Sequence, residues 1–488
     1  MKPRILLLAG IATLAGCTVG PDFKRPAAPS ATAYTGPSDP LRPVPGAPQA
    51  VPGEGPQLRW WEAFGSPALN DLVDRAIADN YSLAASNATL EQAREQIAAA
   101  AGRRLPQVDA SARVEHEEVN LAAFGFNPAA LGIGAGNPVF NLYTVGGGIS
   151  YDLDLFGGKR RAVEQAAAQA EAQLRQAQAA HLTIAGRVVN QVLTIAAIRA
   201  RIAAANALLA EDQANVDMTE KRRRAGEGTL VEVLNAQTQL ADDRGDLPQL
   251  GQELEEARHM LATLVGIAPA DLGPTDFELA QFTLPASIPV TLPSALVHKR
   301  PDILQAEADL HAATAAIGVA TARLYPDINL GATLTQAAPH VGDVLNPGFR
   351  AFDIFGGLTA PIFHGGTLKA EKRAAVDQAR AAAATYRQTV LDAFRQVADL
   401  LDAIRSDSGS VANQQQATDL AARSLQLSRR SFQVGNSGLL QVLESERLYQ
   451  RARLALVDAR QRQYLNVARL YVATAGGWTG PAETATKP

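Results

Sequence analysis

The sequence predicts a mostly helical chain carrying four β-strands that cannot close on themselves, so that the strands form a membrane barrel only when copies of the chain associate. Three observations carry this. The pattern of residues 97–265 recurs about 210 residues later, in 317–475. Each copy holds a helical stretch of about 67 residues, roughly 100 Å long if straight. Alternating apolar and polar residues precede each long stretch, and no other core is offered for those strands to cover.

The elements follow in order. Lys2 and Arg4, then an apolar run from Ile5 to Ala15, read as a signal peptide over 1–16, too short to span a bilayer. Leu14-Ala15-Gly16-Cys17 has the form of a lipoprotein cleavage site, and Cys17 is the single cysteine of the 488 residues. Cysteine usage therefore points to lipid attachment rather than disulfides. Thr18 stands where an inner-membrane-retained lipoprotein tends to carry aspartate. Residues 17–66 are read as a lipid-anchored arm, rich in Pro, Gly and Ala over about 20–57 and unable to build a core, with Trp60 and Trp61 opening the folded part.

Helices are expected at about 67–80, 82–103, 159–225, 228–265, 292–298, 300–323, 366–433 and 438–475. Val188, Val192, Ile195, Ile198 and Ile202 mark one apolar stripe at spacings of three and four. Gly186, and Gly245 with Pro248, are candidate bends. Strands are expected at about 106–118, 141–156, 326–337 and 349–363. In the first, Val108, Ala110, Ala112 and Val114 oppose Asp109, Ser111, Arg113 and Glu115. Pro106 and Pro326 stop a helix before a strand, and Gly157-Gly158 and Gly365-Gly366 mark the passage from strand to long helix. Lys159, Arg160 and Arg161 follow the first pair, facing either acidic headgroups or solvent. The repeats so defined are 67–265 and 292–475, with 266–291 as linker and 476–488 as tail.

Alternation alone suits a half-buried sheet in a soluble domain as well as a barrel wall facing lipid and water. The lipid anchor and the missing alternative core favour the wall. After the signal no apolar run of 18 residues is apparent, so any crossing is expected through strands. Open strand edges are not tolerated in lipid, and three copies would supply twelve strands. Charge and side-chain chemistry narrow the function. With 45 Lys and Arg against 49 Asp and Glu, the net charge of −4 gives no footprint for nucleic acid. The seven histidines (His116, His181, His259, His298, His311, His340, His364) include no pair three or four apart, and no HExxH or phosphate-loop motif occurs. An enzyme, a metal centre or a cofactor is therefore not expected.

Cys17-Thr-Val-Gly-Pro-Asp-Phe-Lys-Arg-Pro26, Trp60-Trp61-Glu-Ala-Phe64 and Arg300-Pro301-Asp302-Ile303-Leu-Gln-Ala306-Glu307 resemble the outer-membrane factors of the NodT type, lipoprotein relatives of TolC and OprM, over about 18–478. The resemblance implies a TolC-like homotrimer in the outer membrane, with four strands per chain in a shared twelve-stranded barrel and a long α-helical periplasmic barrel. A belt from 57–66, 266–291 and 476–488 would surround its middle. It implies a passive exit duct of a tripartite efflux pump, partnered by a periplasmic membrane-fusion adaptor and an inner-membrane transporter, often of the resistance-nodulation-division class. By resemblance the adaptor-docking tips are Gly226, Gly228, Thr229, Leu230 and Val231 in one repeat, and Gly435, Asn436, Ser437, Gly438, Leu439 and Leu440 in the other. From the residues alone these are tight helix reversals, docking surfaces or mere turns. Relatives close the aperture just above the tip, often with aspartate. This chain departs from that, with Lys221-Arg-Arg-Arg224 and Leu427-Ser-Arg-Arg430 there. Asp217, Glu220, Ser428 and Arg429 are the candidate gate residues, Arg429 pairing with Glu220 or Asp217 or facing solvent. The rival reading is a periplasmic lipoprotein adaptor or coiled-coil scaffold without a channel.

Overall fold

A computed structural model describes residues 18–36, 48–53, 55–120, 123 and 137–474. The signal peptide, Cys17, most of the first hairpin tip and the tail 476–488 lie outside the described residues. In chain order the elements are β1 (Gln49–Gly53), α1 (Pro67–Asp79), α2 (Tyr81–Gly102), β2 (Gln107–Glu118), β3 (Val139–Asp152), α3 (Gly158–Arg224), α4 (Leu230–Arg244) and α5 (Asp246–Val265). There follow β4 (Ser287–Thr291), α6 (Pro293–Leu296), α7 (Pro301–Ala322), β5 (Asp327–Ala338), β6 (Arg350–Thr359), α8 (Thr367–Gln433) and α9 (Leu439–Thr474). The chain forms two compact units.

The first unit holds residues up to 25, 91–171 and 308–384. Its centre is an antiparallel sheet in the order β2-β3-β5-β6. The register aligns the apolar positions of all four strands: Val108 faces Ile149, Ile149 faces Ala332, and Ala332 faces Ile354. The next row on that face is Ala110, Gly147, Leu334 and Phe352. On the opposite face the aligned row is Asp109, Gly148, Thr333 and Asp353. Because strand side chains alternate, one register serves both faces, and a slip of one residue would scramble them. The apolar face is bare: Val108 is 75%, Phe352 74% and Ile354 79% exposed.

Two strands end earlier than expected. β3 stops at Asp152 rather than 156, because Asp154 turns into a left-handed conformation (φ 47°). From there its carboxylate accepts the Lys159 and Arg160 amides at 2.8 and 3.0 Å, capping α3. β6 stops at Thr359, ahead of Pro361.

The second unit holds residues 26–90, 172–307 and those from 385 onward. Its core joins Trp60, Trp61 and Phe64 of a 3-10 turn to Leu69 and Val73 of α1, Val188 to Ile198 of α3, Leu261 of α5, and Leu470 and Tyr471 of α9. Trp60 stacks on Tyr471 with ring centroids 5.5 Å apart. Arg300 reaches Gln396 and the Ala473 carbonyl at 2.6 and 3.2 Å, so the Arg-Pro-Asp motif ties three elements together. Of the expected belt, 57–66 and 266–291 do meet: Thr283 N–H donates to the Phe64 carbonyl at 3.1 Å.

Four sequence expectations need correction. The arm is not coreless: β1 pairs in parallel with β4, and Tyr34 donates to the Thr291 carbonyl and packs edge-on against Phe394. The helix expected over 228–265 is not one piece but breaks at the candidate bend into α4 and α5, which meet at Gly245, because Pro248 offers no N–H to the turn before it. Gly186 does not interrupt α3; a Cβ there would lie 2.8 Å from Val472 Cγ2, so the glycine permits close approach of α9. Finally, α3 does contain a window apolar enough to cross a bilayer. Its stripe Val188, Val192 and Ile195 is fully buried in the protein core instead.

Candidate functional site

The two reversals at the end of the second unit are built alike. After α3, Gly226 adopts φ 78°, its N–H bonds the Arg223 carbonyl at 3.1 Å, and the Glu227 N–H bonds the Arg222 carbonyl at 2.9 Å. After α8, Gly435 adopts φ 80°, its N–H bonds Phe432 O at 3.1 Å, and the Asn436 N–H bonds Ser431 O at 2.9 Å. Both are Schellman caps, which need a left-handed residue and hence favour glycine. Thr229 then opens α4 with a capping box: its Oγ1 accepts the Glu232 N–H at 3.2 Å while Glu232 accepts the Thr229 N–H at 2.9 Å. Gly438 N-caps α9 without a side chain to do the same.

The expected tip residues divide by exposure. Leu230, Val231 and Leu440 are 56%, 64% and 71% exposed. Leu439 is not part of that surface. It is buried in a small cluster with Val216, Ala236, Leu240, Leu425, Phe432 and Val442 that fastens the helices just behind the turns. Among the described residues nothing lies within 4 Å of a Cβ placed on Gly226, Gly435 or Gly438.

The gate candidates are not assembled as expected. Asp217 accepts from Gln213, and Glu220 pairs with Arg224 at 2.9 Å along the same helix. Arg429 reaches neither. It pairs with Glu211 of α3 at 2.7 Å and with Glu446 of α9. Glu446 is buried and also accepts two bonds from Asn215 Nδ2, at 3.0 and 2.8 Å. Ser428 bonds Ser445 at 2.8 Å. Glu211, Asp212, Asn215, Asp243 and Glu446 were missed from sequence. The signal was present: Asp212, Asn215 and Thr219 interrupt an apolar stripe at spacings of three and four, and all three are buried.

Near the start of α3, the Arg161 side chain is 5% exposed and pairs with Asp22 and Glu164, both at 2.7 Å. It also bonds the Val19 carbonyl at 3.2 Å. Phe23 stacks on His311, centroids 4.4 Å apart, and the Val19 N–H donates to Phe156 O. Neither solvent nor headgroups receive Arg161; it clasps residues 19–22. Lys159 pairs with Asp152 at 3.1 Å.

A strand pair feeding a long helix occurs twice in this chain, and its sheet carries an apolar and a polar row of residues. A family profile described as "Outer membrane efflux protein" matches residues 72–267 and 292–476. The chain belongs to this family. Among curated relatives, the pyoverdine export outer membrane protein OpmQ of Pseudomonas aeruginosa is 31% identical over 420 residues, covering 86% of this chain and 87% of the relative. Nodulation protein T of Rhizobium leguminosarum bv. viciae is 29% identical over 488 residues, covering 96% and 92%. The solved outer-membrane channel OprN superposes with TM-score 0.82 at 28% identity, over 95% of this chain and all of that one. This efflux protein thus has the TolC-like fold of an outer-membrane channel, and its place is the outer membrane. The family is one of channels, and the bare apolar face of the β2-β3-β5-β6 sheet is the part of this chain suited to lipid.

Proposed function

We propose that this chain is one third of a passive exit duct for small toxic molecules, anchored by a lipid on Cys17 and working in a tripartite pump. The observation that carries the reading is the strand register. It sets apolar rows such as Val108, Ile149, Ala332 and Ile354 on one side of four strands and polar rows such as Asp109, Gly148, Thr333 and Asp353 on the other, and among the described residues β2 and β6 stand at the sheet's edges. Such a sheet is stable in lipid only when its edges are paired. Pairing β6 of one copy with β2 of the next closes a barrel, and three copies give a twelve-stranded wall enclosing a polar lumen. Nothing in a duct of this kind needs a catalytic group or cofactor. Direction and selection would come from the partners, a periplasmic adaptor meeting the tips at 226–231 and 435–440 and an inner-membrane transporter of the resistance-nodulation-division class. OpmQ, whose name records pyoverdine export, supports a small-molecule cargo.

The test is direct. Purified protein in detergent should run as a trimer in native mass spectrometry and give stepwise conductance in planar bilayers. A folded, detergent-free monomer without conductance would favour the coiled-coil scaffold and end the channel reading.

A further inference from the structure

Behind the tips, α3 and α4 bring two carboxyl groups together, and among the described residues neither forms a salt bridge. Asp212 is 1% exposed, and among the described residues no amide, hydroxyl or cationic group donates to either of its oxygens. Facing it is Asp243 of α4, which accepts the Gln239 amide at 2.7 Å. The two open onto a cavity of about 410 Å³ whose wall includes Asp246 of α5 and Glu446, Arg447 and Arg451 of α9. The nearby cations are largely committed elsewhere. Arg429 of α8 serves Glu211 and Glu446, and Arg447 donates to Gln239 at 2.8 Å. A buried carboxylate left without a donor is costly, and two facing carboxylates are costlier. A single proton between them removes both penalties at once, since the protonated acid donates to its partner.

We propose that Asp212 and Asp243 form a proton-binding site, and that the shared proton locks α3 to α4 behind the efflux protein's tips. Burial first, then the Asp243 hydrogen bond and the charges of Asp243, Glu446 and Glu211, push the Asp212 acid up to about 8. The folded state therefore binds a proton that the opened state, with an ordinary carboxyl, gives up. Below about pH 4 both states hold the proton. From there to about pH 8 opening becomes easier by about tenfold per pH unit, and above that it levels off. The lock is thus tight in acid and loose in alkali.

Two readouts on the whole trimer in detergent test this. Infrared difference spectra should show the C=O stretch of a protonated carboxylic acid at about pH 6, lost by about pH 10 and absent in Asp212→Asn. Amide exchange across 205–216 and 236–247, corrected for intrinsic rates, should report about 50-fold easier opening at pH 8 than at pH 6. Asp212→Asn should stay protected at both values. Asp243→Asn gives Asp212 an amide donor, and the slope should collapse while the helices remain packed. Exchange that is flat in the wild type between pH 6 and 8, or the absence of any acid band that Asp212→Asn removes, overturns the proposal. A slope undiminished in Asp243→Asn shows burial of Asp212 alone and overturns the shared site.

Discussion

Arg222 lays its guanidinium over the Phe432 ring, 4.6 Å from the centroid, joining the last turn of α3 to the last turn of α8. Each residue stands a few positions before its own glycine cap, so the contact ties one repeat's reversal to the other's. Phe432 is itself buried in the cluster behind the turns.

Truncating that ring should loosen both reversals together. Phe432→Ala removes a buried aromatic, a change that costs about 3 kcal/mol, and also the cation–π contact. We expect amide protection to fall in both 216–226 and 425–435, with the heat-resistant trimer unchanged. Protection lost only in 425–435 would show that the contact does not couple the repeats.

Arg429 is the counter-charge of the buried Glu446. Arg429→Ala leaves that carboxylate with only the Asn215 amide, and costs about 3 kcal/mol, the low end for breaking a buried pair because Arg429 is itself partly solvated. Arg429→Met combined with Glu446→Gln should recover most of the loss, since no buried charge is then stranded; Glu211, the other partner, is 34% exposed and reaches water. Thermal unfolding of the wild type, Arg429→Ala and the double variant measures it. A double variant no more stable than Arg429→Ala would mean that the charge is not what matters.

At Gly435 the backbone is left-handed and the surroundings are open. Gly435→Trp therefore adds strain of about 1–2 kcal/mol at the turn without any internal clash. If the adaptor meets this turn, efflux should fail while trimers still form. Drug susceptibility in a deletion strain, read with adaptor crosslinking, checks both. Normal efflux and normal crosslinking would remove the turn from the docking surface.

Arg161→Ala should release residues 19–22 from α3, because the guanidinium holds both Asp22 and the Val19 carbonyl. Trypsin should then cut after Lys24 several-fold faster than in the wild-type trimer. Equal cutting rates would show that Phe23 on His311 is clasp enough.

Cys17→Ser should abolish lipid attachment, since the chain has no second cysteine. Radiolabelled palmitate still entering the variant would refute the anchor.

The repeat, the four strands, both 67-residue helices and the glycine reversals were legible in the sequence because each rests on local chemistry: period two, period 3.6, a proline without N–H, a glycine free to turn left. Those rules act over a few residues and survive without knowledge of neighbours. Tertiary structure alone decided which polar residues meet. Arg429 was read against Asp217 or Glu220 of α3, or solvent, yet its partners are Glu211, six residues before Asp217 on that same helix, and Glu446 of α9, 218 positions before it and 17 after it in the chain. The parallel pairing of β1 with β4 was hidden for the same reason: a five-residue strand in a proline-rich arm carries too little pattern to announce a partner more than two hundred residues away. Burial decided the rest. Asp212 and Asp217 are five residues apart on one helix and equally acidic by type, but only the packing of α4 against α3 encloses Asp212 with a second carboxyl, and desolvation rather than residue identity is what makes it keep its proton.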